Sequence, residues 1–358
     1  MKPNSRSIAI FLPSLGEGGA QRVTIDLANS ISSLGYQVDI VLAYFRNAYS
    51  DYLSPDVNIH NLQVKRIRHA WKPLGRWLSL HQPDALLVMQ RHAVISSLLA
   101  KLTSNWSGPI FARETNSHSY PKEAQVAAID WLIATIVKRA YRHTAGVIAP
   151  SKGVAKDIPR SKNLHIIPNP VQISQTHSPI HIERPFVLGV GRLCEQKRFI
   201  DLVNAFHHLI SNEEIDHLDL IILGEGPQRG EILNLASKLG IADRVFLPGF
   251  DPDPFKYMKA AEAFVLSSAW EGLPNALIQA IACGCPVVAT NCNHGPSEIL
   301  ENGRWGELVA VGDVREMAAA IGVCLSSKRP EYPASLINRY HPETIAKAYI
   351  QLLLGVSE

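Results

Sequence analysis

FVLGVGRLCEQKRFIDLVNAFHHLI, residues 186–210, opens with a short apolar run, Phe186–Val190, that stops at Gly191-Arg192. A helical pattern follows, starting near Lys197 and reaching about Leu209. A brief apolar run that ends in a glycine loop and hands over to a helix is how a parallel strand covered on both faces reads. The same unit recurs along the chain. Ile8–Leu12, Val38–Leu42, Ala85–Met89, Pro109–Ala112 and Gly146–Ala149 precede it; Leu218–Leu223, Arg244–Leu247, Ala263–Leu266 and Pro286–Thr290 follow. Amphipathic stretches separate the runs, so the fold class is α/β with doubly wound parallel sheets, and the pattern occurs twice.

The 358 residues are about two domains' worth at roughly 150 each. Pro168-Asn169-Pro170 and the polar, proline-punctuated stretch from Gln172 to Pro185 mark the boundary. The expected division is a first domain over 1–168, a linker over 169–185 and a second domain over 186–340. A terminal helix over 341–358 opens at Pro342 and carries Ile345, Ala348, Tyr349, Leu352 and Leu353 on one face. Charge divides along the same line. Residues 1–180 hold 20 Lys and Arg against 10 Asp and Glu, and residues 181–358 hold 15 against 22. A basic domain favours anionic lipid head groups, phosphorylated acceptors or nucleic acid. At 46% apolar and 19% charged residues, wholesale disorder is excluded. No uninterrupted apolar run approaches the ~18 residues of a membrane-crossing helix, and Ile8–Leu12 is too short for a signal-peptide core. Five cysteines, all after residue 190, are too few for a disulfide framework, which points to a reducing cytoplasm.

Several strand-to-helix loops have the composition of anion sites. Ser14–Ala20 carries Gly16, Gly18 and Gly19 ahead of a helix expected over Gln21–Leu34, but Gln21 breaks the dinucleotide fingerprint. Arg192 and Lys197 bring a planar fork and a compact cation to the C-terminal edge of a parallel sheet, a suitable pair for a diphosphate. Leu223-Gly224-Glu225-Gly226-Pro227 repeats the arrangement on the next strand, with Pro227 at the expected helix start. Ser267 to Asn275 places Glu271 in a glycine-proline loop, where a carboxylate accepts bonds from sugar hydroxyls, ahead of a helix over Ala276–Cys283.

At these residues the sequence resembles the retaining, nucleotide-sugar-dependent enzymes of glycosyltransferase family 4. The likeness runs through Gly18–Leu34, VGRL with Lys197, LGEGP and EGLPNALIQAIACGCPVVAT, in the family's order. It implies a GT-B fold: two Rossmann-like domains, an interdomain cleft, and a last helix crossing back to the first domain. It further implies that Arg192, Lys197 and Glu271 are catalytic, the first two on the donor diphosphate and Glu271 on the transferred sugar. Gly272, Leu273 and Asn275 would offer amides to that sugar and its phosphate, with Pro274, which has no N–H, shaping the same nucleotide-sugar-binding loop. Gly191, Gly224 and Gly226 would line the nucleotide-sugar site, with Phe250 near the base, and Gly16, Gly18 and Gly19 would close over the donor phosphate. Gln279 stands where the family commonly has a second glutamate for the ribose. The family's first-domain histidine has no counterpart; Arg113, Glu114 and Asn116 stand there, with His92 and His118 nearby, as acceptor-side candidates. No cofactor and no metal is implied beyond a donor expected to be a UDP-sugar. The EGLPN form of the loop resembles that of bacterial enzymes building cell-surface polysaccharide or lipid-linked oligosaccharide, and the resemblance implies transfer of a hexose or N-acetylhexosamine to a lipid-linked oligosaccharide or lipopolysaccharide. The alternatives are a GT-B sugar-nucleotide epimerase and a non-catalytic sugar-nucleotide-binding subunit.

A second feature lies in the basic half. Residues 64–78 interleave Lys65, Arg66, Arg68, Lys72 and Arg76 with Trp71 and Trp77, a composition suited to the head-group level of a membrane. Lys138, Arg139, Arg142 and His143 add a second basic cluster on a helix expected over Glu123–Arg142. The expected location is therefore cytoplasmic and peripheral on the inner membrane face, without a nucleic-acid partner. Asp251-Pro252-Asp253 is read as a helix cap, and Cys283, Cys285 and Cys292 as reduced thiols.

Overall fold

The computed structural model describes residues 6–16, 19–45, 52–114, 135–158, 163–172, 180, 182–212, 215 and 217–356. Contacts divide the chain into two compact units, residues 1–171 with 339–358, and residues 172–338.

Among the described residues the first unit holds a seven-stranded sheet. Its strands are β1 Ser7–Leu12, β2 Gln37–Leu42, β3 Val57–Asn61, β4 Ala85–Met89, β5 Ile110–Arg113, β6 Gly146–Ala149 and β7 Leu164–Ile166. They lie in the order β3-β2-β1-β4-β5-β6-β7, all parallel. The period-two alternation of a strand sorts β1 between two cores. Ile8, Ile10 and Leu12 face helix Gly19–Ser33 and the terminal helix Pro342–Leu354. Ala9 and Phe11 face helices Trp71–His81 and Lys152–Asp157, together with Val94 and Ala100 of His92–Leu102. The terminal helix starts with Pro342 at its first turn and stops at Gly355 in the left-handed region. It buries Ile345, Ala346, Tyr349, Ile350 and Leu353 in the first unit's core, at roughly 2 kcal/mol of transfer energy for each isoleucine or leucine side chain.

The second unit holds, among the described residues, β8 Phe186–Val190, β9 Asp219–Leu223, β10 Val245–Gly249, β11 Ala263–Leu266, β12 Val287–Thr290 and β13 Glu307–Val309. The order is β10-β9-β8-β11-β12-β13, again parallel. Helices Phe199–Asn212, Arg229–Lys238 and Val314–Ser326 contribute to its main apolar cluster.

Some expectations need correction. β3, β7 and β13 were not foreseen; all three are sheet edges with solvent-exposed positions, so they lack a continuous apolar signature. Most of Glu123–Arg142 lies outside the described residues; 135–140 are helical and Tyr141–His143 form a tighter 3-10 turn. Helix Arg229–Lys238 begins two residues after Pro227. Asp251 does not cap a helix: its carboxylate accepts from the Asp253 amide at 2.8 Å and pairs with Lys256 at 2.8 Å. Helix Phe255–Ala260 has Pro254 at its N-cap position.

Candidate functional site

The strand order turns around in each sheet, between β1 and β4 in the first unit and between β8 and β11 in the second. At such a reversal the flanking loops part, leaving a crevice at the C-terminal ends of the strands. In the second unit that crevice is furnished. Lys197 follows β8, Glu271 follows β11, and Lys197 Nζ lies 2.5 Å from Glu271 Oε1.

Both side chains are held by their own loops. The 3-10 turn Glu195–Lys197 is tied to the loop after β11 by Ala269 N donating to Gln196 O at 2.8 Å and Gln196 Nε2 donating to Trp270 O at 2.8 Å. Ser267 Oγ donates to Lys197 O at 2.6 Å. Ser268 Oγ donates to Glu271 Oε1 at 2.7 Å, and Thr290 Oγ1 on β12 donates to Ser268 O at 2.5 Å. Ser267, Ser268, Glu271 and Thr290 are all buried. Both bonds to Glu271 fall on Oε1, so Oε2 is the oxygen not engaged by Lys197 or Ser268. Sequence gives no sign of Gln196, Ser267, Ser268 and Thr290, because uncharged polar residues bonded to a neighbouring loop, or in Ser268 to the Glu271 carboxylate, carry no spacing signal.

Arg192 is exposed and makes no hydrogen bond or ion pair with the described residues. The Lys197 ammonium, on a side chain 17% exposed, is engaged among the described residues by Glu271 alone, which leaves two of its protons unassigned. Gly224 and Gly226 let the loops after β8 and β9 touch. A Cβ on Gly224, whose φ is +139°, would sit 1.9 Å from Gly191 O, and one on Gly226 would sit 2.3 Å from Leu193 O. These two glycines therefore shape the Arg192 loop by close backbone approach. Gly191 lies against the Lys197 side chain, where a Cβ would meet Cε at 3.0 Å.

Gly272, Leu273 and Pro274 are buried ahead of helix Asn275–Ala282, which has no side-chain cap at its start. Gln279 projects from that helix half-buried, and its carboxamide makes no hydrogen bond with the described residues. Phe250 follows β10 and is 58% exposed. Cys292 lies near Glu271; burial first, and the carboxylate second, push its thiol up to about 12. Burial likewise raises Cys283 to about 11 and Cys285 and Cys324 to about 12, so these thiols stay protonated and unreactive. No group of metal-ligating side chains occurs among the described residues.

In the first unit Gly16 and Gly19 flank the β1 reversal, while Gly18, Asn116 and His118 lie outside the described residues. His92 is exposed at the start of the helix after β4. Arg113 and Glu114 are not open acceptor-side groups. Arg113 is buried, donates from Nε to Tyr349 Oη at 2.6 Å and binds Asn169 Oδ1 through Nη2. It fastens the terminal helix to the sheet. Glu114 is buried and accepts from Tyr141 Oη, and burial raises the Tyr141 phenol far above its ordinary value.

The basic stretch also departs from expectation. Lys65, Arg66, Arg68, Lys72 and Arg76 are exposed and Trp71 is half-buried, but Trp77 is in the core at 7% exposure. It stacks on His81 at 4.4 Å between centroids and meets His60 edge-on at 5.1 Å, so it has no membrane-facing ring. Leu74, Trp77 and Leu78 occupy the i, i+3, i+4 positions of a helix core face, a spacing that could have revealed this.

Two family models match the chain. One described as "Glycosyltransferase Family 4" matches residues 17–175, and one described as "Glycosyl transferases group 1" matches residues 184–327. The chain is 28% identical to the N-acetylgalactosamine-N,N'-diacetylbacillosaminyl-diphospho-undecaprenol 4-alpha-N-acetylgalactosaminyltransferase of Campylobacter jejuni, over 90% of this chain and 91% of that protein. It is 25% identical to the lipopolysaccharide core biosynthesis glycosyltransferase LpsE of Rhizobium meliloti, over 94% and 96%. Among solved structures, HepE of Anabaena with UDP and glucose superposes with a TM-score of 0.81 at 19% identity, covering 98% of this chain and all of that one.

Proposed function

Because the chain belongs to glycosyltransferase family 4 and is a glycosyltransferase of GT-B fold, we propose that it moves a hexose or N-acetylhexosamine from a UDP-sugar to a lipid-linked oligosaccharide or lipopolysaccharide glycan, retaining the anomeric configuration. The observation that carries the reading is the contact of Lys197 with Glu271 across the strand-order reversal of the second unit, with Arg192, unpaired among the described residues, on the loop between β8 and Lys197. The acceptor class rests on the Campylobacter and Rhizobium relatives, whose names specify an undecaprenol-linked and a lipopolysaccharide product. Both are transferases, which leaves the epimerase alternative without support.

In the proposed reaction the acceptor hydroxyl attacks the anomeric carbon on the face the nucleotide leaves. The sugar–phosphate bond breaks, its electron pair goes to the diphosphate, and the hydroxyl proton passes to the departing phosphate oxygen. Negative charge on that oxygen grows toward the transition state, so Arg192 and Lys197 bind the transition state more strongly than the ground state. Glu271 Oε2 accepts a hydroxyl of the transferred sugar, and Oε1 keeps Lys197 aimed at the phosphate. Amides at the start of helix Asn275–Ala282 contribute to the same anion. Gln279 receives the ribose through a neutral carboxamide. No step calls for a metal, so turnover is expected to survive a chelator.

The test is a panel of UDP-sugars offered with an undecaprenyl-diphosphate-linked sugar or a lipopolysaccharide acceptor, scored by product mass. One added hexose or N-acetylhexosamine, α-linked from an α-linked donor, supports the proposal. An inverted linkage, or interconversion of the nucleotide sugar without acceptor, contradicts it.

A further inference from the structure

Arg113 and Glu114 are closed off, so the sugars of an acceptor need other partners in the first unit. The C-terminal ends of β2 and β3 offer them. Tyr44 and Phe45 follow β2, Asn61 ends β3, and Gln63, Val64 and Lys65 come after it; together they line one open depression of about 710 Å3. That volume falls in the range of roughly 300–1,000 Å3 found for small-ligand sites. Its walls are fixed by the backbone. Beyond the strand ends Leu62 N donates to Leu42 O and Val64 N to Ala43 O, each at 2.8 Å, and Tyr44 N donates to Pro13 O after β1 at 3.0 Å. Tyr44, Leu62 and Val64 also pack on the apolar cluster that holds Phe11 and Trp77. Between Leu62 and Val64, Gln63 sits at φ +55°, in the left-handed region that a glutamine adopts only at a cost, and Asn61 Oδ1 accepts its amide at 2.9 Å. Phe45 is 50% exposed and Asn61 and Gln63 are exposed; neither the Gln63 carboxamide nor Asn61 Nδ2 bonds to a described residue.

Two aromatic rings suit a ligand with a flat, partly apolar face, and two carboxamides beside a lysine suit one rimmed with hydroxyl or acetamido oxygens. A pyranose has both. An acyl chain would leave the carboxamides without partners, and the proposed reaction already seats the nucleotide on the second unit. We infer that this depression is a subsite for a sugar of the acceptor glycan, one further along the glycan than the sugar that carries the attacking hydroxyl. Spacing favours the more distant sugar. β3 lies two strand spacings, about 9.5 Å, from β1 and the strand-order reversal. A ring stacked on Tyr44 and Phe45 is therefore separated by at least a glycosidic link from a hydroxyl presented at the reversal. The subsite makes the enzyme select acceptors longer than a single sugar. This rests on the proposed transfer and adds which part of the acceptor is recognised.

Kinetics with paired acceptors test it. Undecaprenyl-diphosphate-linked glycans and lipopolysaccharide cores are each prepared in a one-sugar form and in a longer form. For the accepted class, kcat/KM is expected to be at least about tenfold higher with the longer form, and Phe45→Ala to bring that ratio below about threefold through a raised KM for the longer acceptor. Gln63→Gly removes the side chain while suiting the left-handed backbone, so it should lower the ratio about fivefold without lowering the melting temperature. Equal kcat/KM for the two lengths, or a ratio that survives both substitutions, overturns the subsite and leaves the transfer standing. A Phe45→Ala chain whose KM rises for the UDP-sugar instead assigns the depression to the donor and overturns it as well. Absence of transfer to every acceptor of either length removes the proposed reaction and the subsite with it.

Discussion

Lys197 and Glu271 form an ion pair with little water around it, an arrangement whose desolvation cost can exceed its Coulombic gain. Its persistence on loops held by Ser267, Ser268, Gln196 and Thr290 fits a site arranged for a ligand rather than for stability. Lys197→Ala or Arg192→Ala is expected to lower turnover at least about a hundredfold, the typical loss when a donor to developing negative charge is removed. Near-parental turnover in either variant rejects the role. Ser268→Ala removes one of the two bonds to Glu271 Oε1 and should cost about tenfold in kcat, with KM for the donor changed less and Ser268→Thr restoring most of the rate. A drop in melting temperature alone, with kcat intact, would instead make Ser268 purely structural. The charged pair was accessible from the sequence because each member sits where a strand ends in a glycine loop. The hydroxyls that hold it were not, since serine before such a loop reads as turn chemistry. Arg113 misled for a related reason: nothing in Ile110-Phe111-Ala112-Arg113 signals that the arginine is buried against Tyr349 and Asn169.

Among elements, legibility follows burial. Ten runs were foreseen, and each corresponds to an observed strand with ends shifted by no more than two residues. Strands covered on both faces are apolar throughout, whereas β3, reading Val57-Asn58-Ile59-His60-Asn61, exposes three of its five residues. Helix Gly19–Ser33 carries a testable anomaly. Burial raises the Asp26 carboxyl from its ordinary 3.8 to about 6, and Arg22, bonded at 3.1 Å, offsets only part of this. A carboxyl whose folded pKa exceeds its unfolded one contributes stability fully below about 3.8, and loses it as pH rises through about 6. At ~1.4 kcal/mol per unit, this group adds roughly 3 kcal/mol on acidification from neutrality, opposite to the usual carboxylate. Asp26→Asn should flatten that part of the profile in urea unfolding between pH 4 and 7; an unchanged profile would mean Asp26 is not the titrating group. In the second unit Gly224→Ala would force a methyl against Gly191 O and should cost on the order of 4 kcal/mol, read as a lower urea midpoint.

On the scale of the whole molecule, the chain leaves the first unit near Val171 and re-enters it at Arg339, where Val171 N donates to Tyr340 O at 2.9 Å. Tyr349→Phe would deprive the buried Arg113 Nε of its acceptor and is expected to destabilise the first unit by ~1–3 kcal/mol. The second unit contains none of that network, so UDP affinity should stay unchanged. Charge sets a second contrast at this scale. The half carrying the proposed diphosphate site holds 15 cations against 22 acids beyond residue 180, so its overall field repels the ligand that Arg192 and Lys197 attract. Local geometry must outweigh that field, and calorimetric titration with UDP reads the balance directly. The parental chain is expected to give a saturating heat, and Lys197→Ala, folded by circular dichroism, to bind at least about tenfold more weakly. A flat titration for the folded parental chain, or equal affinities for the two proteins, would contradict the assignment of these cations to a nucleotide diphosphate.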